Sequence, residues 1–216
     1  MKAWLTLLSL SFAFAAAAQS DGRARPMRTL FDQPGDTVTG GYFALTGMNM
    51  HTLGQDAFLL GGRGGVIVGH RWAFGLAGYG LCNPLTNHAY GDYRVQHELN
   101  LPDGLAFRVG YGGLFMEPIL FDRSVVHLSI PVTFGAGGAS YGYPTDEGRY
   151  RRIVRTDLQA FFFVQPALDV EVNILRGLRL AVGAAYLFTS DIDLPATAKD
   201  VLQRPMLSVT MKAGMF

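Results

Sequence analysis

Residues 178–189 read LRLAVGAAYLFT and show the alternation on which the fold prediction rests. Bulky apolar residues stand at every second position in the first half of this segment, at Leu178, Leu180 and Val182, and Arg179 and Ala181 lie between them. Residues two apart lie on the same side of a β-strand. The segment therefore predicts a strand with one apolar face and one small or polar face.

The same alternation occurs in seven other segments, so the sequence predicts eight strands. Each is about ten residues or longer, whereas strands of soluble sheets usually have about 5–6 residues. A strand that crosses a bilayer at a tilt needs about 9–11 residues. Strand length therefore favours a membrane barrel. The other segments are 38–47, 56–68, 105–117, 125–136, 158–174 and the stretches around Phe74 and Val209.

Composition excludes several classes of protein. The chain has 216 residues, of which 49% are apolar and only 16% charged, against about 25% charged in a typical soluble domain. The formal net charge of +1 lacks the basic excess of a nucleic-acid-binding protein. A single cysteine excludes a disulfide framework and a cysteine-based zinc cluster.

The N-terminal segment has the pattern of a cleaved signal peptide. Lys2 precedes an apolar run at 3–14, and Ala16 and Ala18 form a small-residue cleavage site. A membrane-anchoring helix is the alternative, but it requires about 20 apolar residues. We therefore predict a signal peptide at 1–18, a flexible periplasmic segment at 19–36 and the barrel at 37–216.

The predicted connections between strands alternate in length. Short connections fall at 69–71, 121–124 and 175–177, whereas long polar ones fall at 83–102, 142–156 and 190–205. Short turns at one end and long loops at the other are typical of outer-membrane barrels. An even number of strands then places both termini on the short-turn side, which is the periplasmic side in such barrels.

Glycine-rich motifs add a family resemblance. They are GGRGGVI at 61–67, YGGLFME at 111–117 and GAGG at 135–138, and the chain ends in Phe216. In these features the chain resembles the small eight-stranded outer-membrane β-barrel proteins of Gram-negative bacteria. The resemblance implies an all-β, antiparallel, up-and-down transmembrane barrel in the outer membrane. It also implies that Phe216 is presented to the barrel assembly machinery.

The interior of an eight-stranded barrel is just wide enough for side chains to fill it. Charges on the lipid-facing side cost about 2–4 kcal/mol each near the bilayer midplane, so we expect the polar phase of each strand to face inward. The expected result is a plugged lumen with a charged, hydrogen-bonded network and no open pore. Its predicted members are Arg63, Arg108, His127, Gln165, Asp169, Glu171, Arg179 and Lys212, with Glu117 added if the end of its strand turns inward.

One pair of residues suggests catalysis. His127 and Ser129 share a strand face, a spacing similar to that of the outer-membrane lipid A deacylases, which are also eight-stranded barrels. A histidine beside a serine hydroxyl can act as its general base. Against this, the pair follows a predicted periplasmic turn and points inward, so a polar pair within the interior is the competing interpretation.

The long loops carry a second candidate set of aromatic and arginine side chains. Such residues suit contact with sugars, lipopolysaccharide phosphates or a protein partner, and the alternative is an interfacial aromatic girdle. The residues are Tyr90, Tyr93, Tyr143, Arg149, Tyr150, Arg151 and Arg152. The loop at 83–102 also holds His88, Asp92, His97 and Glu98, but their irregular spacing indicates ordinary loop polarity. We predict no metal or cofactor.

Three functions remain open at this point. The first is a non-enzymatic outer-membrane barrel with a structural or surface-interaction role, in contact with outer-membrane lipid and lipopolysaccharide. The second is a barrel enzyme that acts on lipid A or phospholipid. The third is a soluble, secreted, ligand-binding barrel, in which the apolar strand faces would point inward.

Overall fold

The computed structural model describes residues 38–99, 105–121, 124–147 and 150–216. The predicted signal peptide at 1–18 and the lead-in at 19–36 lie outside these residues. The described part contains one helix, α1 (His88–Gln96), and ten strand segments. The strands are β1 (Val38–Thr52), β2 (Gln55–Val68), β3 (Trp72–Leu81), β4 (Ala106–Leu120), β5 (Val126–Ser129), β6 (Val132–Glu147), β7 (Tyr150–Leu175), β8 (Leu178–Tyr186), β9 (Phe188–Thr189) and β10 (Pro205–Met215).

The strands close into a ring of eight antiparallel barrel strands. β5 and β6 are two parts of one barrel strand, interrupted at Ile130 and Pro131, because proline has no N–H to donate to the ladder. β8 and β9 are likewise separated by Leu187. The ring closes where β1 pairs with β10, with Gly41 opposite Met215. The predicted eight-stranded antiparallel barrel is therefore confirmed. No helix in the described ranges is long and apolar enough to span a membrane.

In most strands, the apolar phase points outward and the polar phase inward. On β10, Leu207 and Val209 are 70% and 55% exposed, whereas Ser208 and Thr210 are 6% and 1% exposed. The outward set on neighbouring strands is apolar in the same way and includes Phe74, Leu76, Phe134, Val170, Leu180 and Val182. The exterior of the barrel is therefore a continuous apolar belt.

β4 departs from this pattern, and its predicted orientation is wrong. Phe107, Tyr111 and Phe115 were expected to face outward, but all three are buried in the barrel. Arg108 belongs to the opposite phase and lies on the outer face, half-buried. Its predicted place in the interior network is therefore wrong. The rule that bulky residues face outward fails here because aromatic side chains fill this part of the interior.

The two ends of the barrel differ. One end, which we call the turn end, carries the short connections at 69–71, 121–125 and 176–177. The other, which we call the loop end, carries α1 and the segment at 190–204. The loop end also holds one tight turn, Leu53–Gly54, in which both residues have positive φ, the conformation of a type I′ hairpin turn.

The long loop predicted at 142–156 is instead mostly strand. β6 and β7 pair as far as Glu147 and Tyr150, whereas β6 pairs with β4 only as far as Gly142. The hairpin therefore continues past the start of β4. We call this part, with 143–147 and 150–156 as its described residues, the projecting hairpin.

Inward-facing glycines allow the barrel wall to curve tightly. A Cβ atom on Gly61 would lie 2.2 Å from the carbonyl oxygen of Gly78, closer than real contacts permit. By contrast, a Cβ on outward-facing Gly47 or Gly80 would meet nothing within 4 Å. Glycine is thus required by packing at some positions and not at others.

Candidate functional site

Six buried ionisable side chains meet near the turn end. We call them the interior charge cluster: Arg63, Glu117, Asp169, Glu171, Arg179 and Lys212. They come from five different barrel strands, each placed inward by the two-residue period of its strand. The cluster holds three carboxylates and three cations, so its formal charge is zero.

Lys212 is the centre of the cluster. Its ammonium group donates hydrogen bonds to Oε1 of both Glu117 and Glu171. Glu117 also accepts a hydrogen bond from the hydroxyl of Tyr42, and Glu171 accepts one from Ser129 Oγ at 2.5 Å. Glu117 and Glu171 therefore each have a cation and a hydroxyl as partners, as buried charges require, whereas Glu171 Oε2 has no hydrogen-bond partner among the described residues.

Two arginines extend the cluster on either side. Arg63 Nη2 lies 2.7 Å from Asp169 Oδ2, and its Nε is 3.9 Å from Glu117 Oε2. Arg179 Nη1 lies 3.7 Å from Glu171 Oε2, and its guanidinium carbon sits 3.9 Å from the centroid of the Phe216 ring. The C-terminal aromatic ring therefore faces into the barrel beside the cluster.

The sequence interpretation did not place Glu117 and Tyr42 firmly in this site. Glu117 was included only on condition that its strand end turned inward, and the structure shows that it does. Glu117 shares the phase of Phe115, which was expected to face outward, so the alternation of β4 gave no signal for its inward place. Tyr42 carried no such signal, because its strand is rich in glycine on both faces.

Gln165 lies inside the barrel but apart from the charges. It is buried, and its Nε2 donates to the Met48 sulfur at 3.3 Å. Arg108, on the outer face, has no carboxylate oxygen within 4 Å among the described residues, and its Nε is buried without a hydrogen-bond partner there. A charge on the lipid-facing side costs about 0–1 kcal/mol near the interface, and Arg108 stands only two residues from the start of β4.

His127 and Ser129 are both buried on the same face, but they are not arranged as a catalytic pair. Ser129 donates its proton to Glu171. The two ring nitrogens of His127 lie 2.9 Å from the carbonyl oxygen of Phe121 and 2.9 Å from Asn173 Nδ2. No nitrogen of His127 is therefore left to accept the Ser129 proton.

The loop end of the barrel is covered by what we call the loop-end cap. Apolar residues of the segments around 85 and 187–202 are buried there: Leu85, Leu187, Ile192, Leu194, Val201 and Leu202. Hydrogen bonds fix the cap to the wall. Thr52 Oγ1 donates to the carbonyl oxygen of Val201 at 2.5 Å, and Asn87 Nδ2 donates to the Tyr141 hydroxyl at 2.6 Å.

Tyr90 belongs to the cap, and its predicted role as a surface contact is wrong. It is 2% exposed and stacks on Tyr141, with ring centroids 3.7 Å apart. Its hydroxyl donates to Asp157 Oδ2 at 2.6 Å. The reason is α1, which the sequence interpretation missed because its residues form no apolar stripe; the helix turns Tyr90 toward the barrel wall.

The other predicted surface residues are distributed along the loop end. Tyr93 on α1 and Tyr143 on β6 are half-buried. Tyr150, Arg151 and Arg152 are strand residues of the projecting hairpin, opposite Glu147, Asp146 and Thr145. Arg149 lies outside the described residues. Within those residues, no group of three or more histidine, cysteine, aspartate or glutamate side chains is placed to hold a metal ion.

Comparisons with known proteins bear on the fold. No family model matches the chain. No curated protein matches it by sequence. Among solved structures, it is similar to Neisserial surface protein A, with 13% identity, a TM-score of 0.51, and coverage of 83% of this chain and 98% of that one.

Two other solved structures are also similar. The N-terminal β-barrel domain of Pseudomonas aeruginosa OprF has 7% identity and a TM-score of 0.48, over 82% of this chain and 98% of that one. Ail, the attachment invasion locus protein of Yersinia pestis, has 8% identity and a TM-score of 0.44, over 83% of this chain and all of that one. At these identities the comparison with the Neisserial protein establishes a shared fold, that of a small outer-membrane β-barrel, and leaves activity open.

Proposed function

We propose that the chain is an integral outer-membrane barrel with a closed interior and a structural or surface-interaction role. The observation that carries the proposal is the sorting of side chains: the outer belt is apolar and exposed, whereas the ion pairs of the cluster are buried. An apolar belt of this extent on a soluble barrel would aggregate. In hydrocarbon it is the low-energy surface. This favours the membrane barrel over the soluble, secreted alternative.

The contents of the barrel support a plugged lumen. The interior charge cluster occupies the part near the turn end. Toward the loop end, an aromatic layer follows, in which the Tyr111 ring lies 5.4 Å from Tyr79 and 4.8 Å from Phe163. The loop-end cap lies beyond it. Such a filling supports a closed interior, because an eight-stranded barrel is just wide enough for side chains to fill it.

A surface role is supported by the projecting hairpin. Residues 143–156 contain Arg149, Arg151, Arg152 and Arg155 against Asp146 and Glu147, so the hairpin carries an excess of two positive charges. Arginine and tyrosine side chains suit sugars and phosphates. Lipopolysaccharide carries both sugars and phosphates, and an outer-membrane barrel would meet it at the cell surface. The sequence and fold point to no particular protein partner.

An enzymatic role has less support. The proposed acyl-transfer chemistry requires His127 to take the proton of Ser129, and both residues are engaged with other partners. They also lie inside the barrel, where a lipid substrate has no access. The proposal therefore does not include the deacylase alternative.

The route to the membrane is part of the same proposal. Residues 1–18 direct export, residues 19–36 remain in the periplasm, and both termini lie there. The pairing of Gly41 with Met215 supports the last point, because it brings the start of β1 and the end of β10 to the same end of the barrel. Phe216 is the residue that we expect the barrel assembly machinery to recognise before its ring packs beside Tyr42.

Two measurements test the proposal. Membrane fractionation followed by a gel of boiled and unboiled samples should place the chain in the outer membrane with heat-modifiable migration. The purified barrel in a planar lipid bilayer should give no stepwise conductance under salt at which a general porin, run as the positive control, conducts. A soluble, unshifted band would refute the membrane assignment, and stepwise conductance would refute the closed interior.

A further inference from the structure

The most unusual feature outside the interior is a small pocket on the outer wall at the loop end. It has a volume of about 390 Å³ and lies over β3, β4, β6 and β7. Its lining includes Gly80, Arg108, Gly110, Gly138, Ser140 and Leu158. Among the described residues of the apolar belt, the cation Arg108 stands here.

The glycines of this pocket are not explained by packing. A Cβ on Gly80 would meet nothing within 4 Å, and the nearest contact to a Cβ on Gly110 or Gly138 would be 3.6 or 3.5 Å, which is ordinary van der Waals contact. The inward glycines differ, because a side chain there would strike the backbone. The fold would therefore tolerate a side chain at these three outward positions, and their glycines leave the space of the pocket open.

The charge in the pocket is unmatched. Arg108 pairs in register with Ser140 across β4 and β6, and both residues line the pocket. The Nε of Arg108 is buried without a partner, and no described carboxylate oxygen lies within 4 Å of its guanidinium. A guanidinium without a carboxylate partner can pair with an anionic ligand through charge-assisted hydrogen bonds.

The geometry of β7 shapes the pocket wall. Between Ala139 and Tyr141 the register with β7 shifts by one residue, and Asp157 adopts a φ of 51°. This bulge directs Asp157 to the Tyr90 hydroxyl and leaves Leu158 on the outside, 65% exposed. Bulges of this kind commonly re-aim side chains beside binding sites. Leu158 and Arg108 both line the pocket, so an apolar side chain and a cation border the same space.

From these observations, we propose that this pocket binds the phosphate of a membrane lipid headgroup through Arg108 and Ser140, with the lipid chains lying along the apolar belt. Arginine binds phosphate in a bidentate manner, and the planar guanidinium suits this better than a lysine ammonium. The pocket lies near the loop end of β3 and β4, since Gly80 is one residue from the end of β3 and Arg108 two residues from the start of β4. The inference rests on the proposed outer-membrane location and adds a ligand class and a site to it.

The test uses the full chain, folded in detergent micelles and analysed by native mass spectrometry. Three probes are added separately: diphosphoryl lipid A, the same lipid after removal of both phosphates, and inorganic phosphate. We expect the phosphorylated lipid to remain bound, the dephosphorylated lipid to bind at least about tenfold more weakly, and inorganic phosphate to bind negligibly. This size follows from the loss of charge-assisted hydrogen bonds.

Two variants address the site itself. Arg108→Ala removes the cation, and Gly110→Leu places a side chain in the pocket from a position where the Cβ meets no atom closer than 3.6 Å. Each should weaken lipid binding about tenfold or more. The matched controls are Arg176→Ala, an exposed arginine at the turn end, and Gly47→Leu, an outward glycine on another part of the wall, and neither should change binding. Heat-modifiable migration verifies folding of each variant, and Gly110→Leu decides the outcome if Arg108→Ala does not fold.

Three results would overturn the inference. The first is equal lipid binding by the wild type and both site variants. The second is equal binding of the phosphorylated and dephosphorylated lipid. The third is Arg108-dependent binding of inorganic phosphate as tight as that of the lipid, which would mean a site for the free ion. A barrel that fractionates with the outer membrane yet gives any of these results refutes the lipid site alone. A barrel that is not in the outer membrane refutes the proposed function.

Discussion

Removal of the Lys212 charge is the sharpest test of the interior charge cluster. Lys212 is 1% exposed and contacts both Glu117 and Glu171. The substitution Lys212→Met keeps most of the side-chain volume and leaves the cluster with three carboxylates and two arginines. The wild-type balance of zero formal charge then becomes −1 in a buried site.

The magnitude follows from the contacts that are lost and kept. Each hydrogen bond to a charged group contributes about 1.5–3 kcal/mol, and two are lost. Glu117 keeps Tyr42 and a distant contact with Arg63 at 3.9 Å, and Glu171 keeps Ser129 and a contact with Arg179. We therefore expect the free energy of unfolding to fall by about 3–5 kcal/mol, the range for breaking a buried pair by removing one partner.

The assay is urea unfolding of the barrel refolded in phospholipid vesicles, followed by circular dichroism and by migration of unboiled samples on a gel. Lys199→Met is the matched control, because the Lys199–Asp191 pair at 3.3 Å is exposed and should contribute less than about 1 kcal/mol. The double variant Lys212→Met/Glu171→Gln restores two acids to two bases and should recover part of the loss. A Lys212→Met barrel as stable as the wild type would refute the account, and so would a double variant less stable than the single one.

Three further predictions concern other parts of the barrel. Asp169→Ala should lower the unfolding temperature, because Arg63 then keeps only its 3.9 Å contact with a carboxylate; an unchanged temperature would contradict the ion pair. Gly61→Ala should reduce the folded yield on an unboiled gel because its Cβ would lie 2.2 Å from a carbonyl oxygen, whereas Gly47→Ala should fold as the wild type does. Equal yields would show that the wall tolerates a side chain at both sites. Tyr141→Phe removes a hydroxyl that lies 2.6 Å from two partners in the loop-end cap and should speed tryptic cleavage within 190–204; an unchanged rate would mean that packing alone holds the cap.

Some elements of the fold could be predicted from the sequence because bilayer-facing strands impose a simple rule. On β8 and β10 one phase holds Leu180, Leu207 and Val209, which are exposed, and the other holds Arg179 and Lys212, which are buried. A charge that faces hydrocarbon costs free energy at every such position. Strict alternation therefore specified both the strand and the face that looks outward.

The same rule failed on β4, where neither phase is polar as a whole. One phase holds Phe107, Tyr111 and Phe115, and the other holds glycines and Arg108. Glycine fits either face, so the predicted inward face of β4 rested on Arg108 alone. That prediction was wrong. Only the packing of the aromatic layer, in which Tyr111 contacts Tyr79 and Phe163, shows which phase fills the interior.

The structure of the loop end could not be predicted from the sequence either, because it depends on tertiary contacts. Outside the apolar belt no face of a strand needs to be hydrophobic, so the projecting hairpin carries no alternation that would distinguish it from a loop. Helix α1 is polar and contains Gly91 in its middle. Its position is set by contacts distant in sequence, such as those of Tyr90 with Tyr141 and Asp157.

Local periodicity thus determined the strands, their number and most of their outward faces. Each of these depends on whether a single side chain has the lower free energy in lipid or in the interior. The partners inside the barrel depend on which strands become neighbours. Glu117, Glu171 and Lys212 stand on three different strands and meet only when the ring closes. The pocket around Arg108 likewise exists only because glycines from separate strands fall side by side in the finished wall.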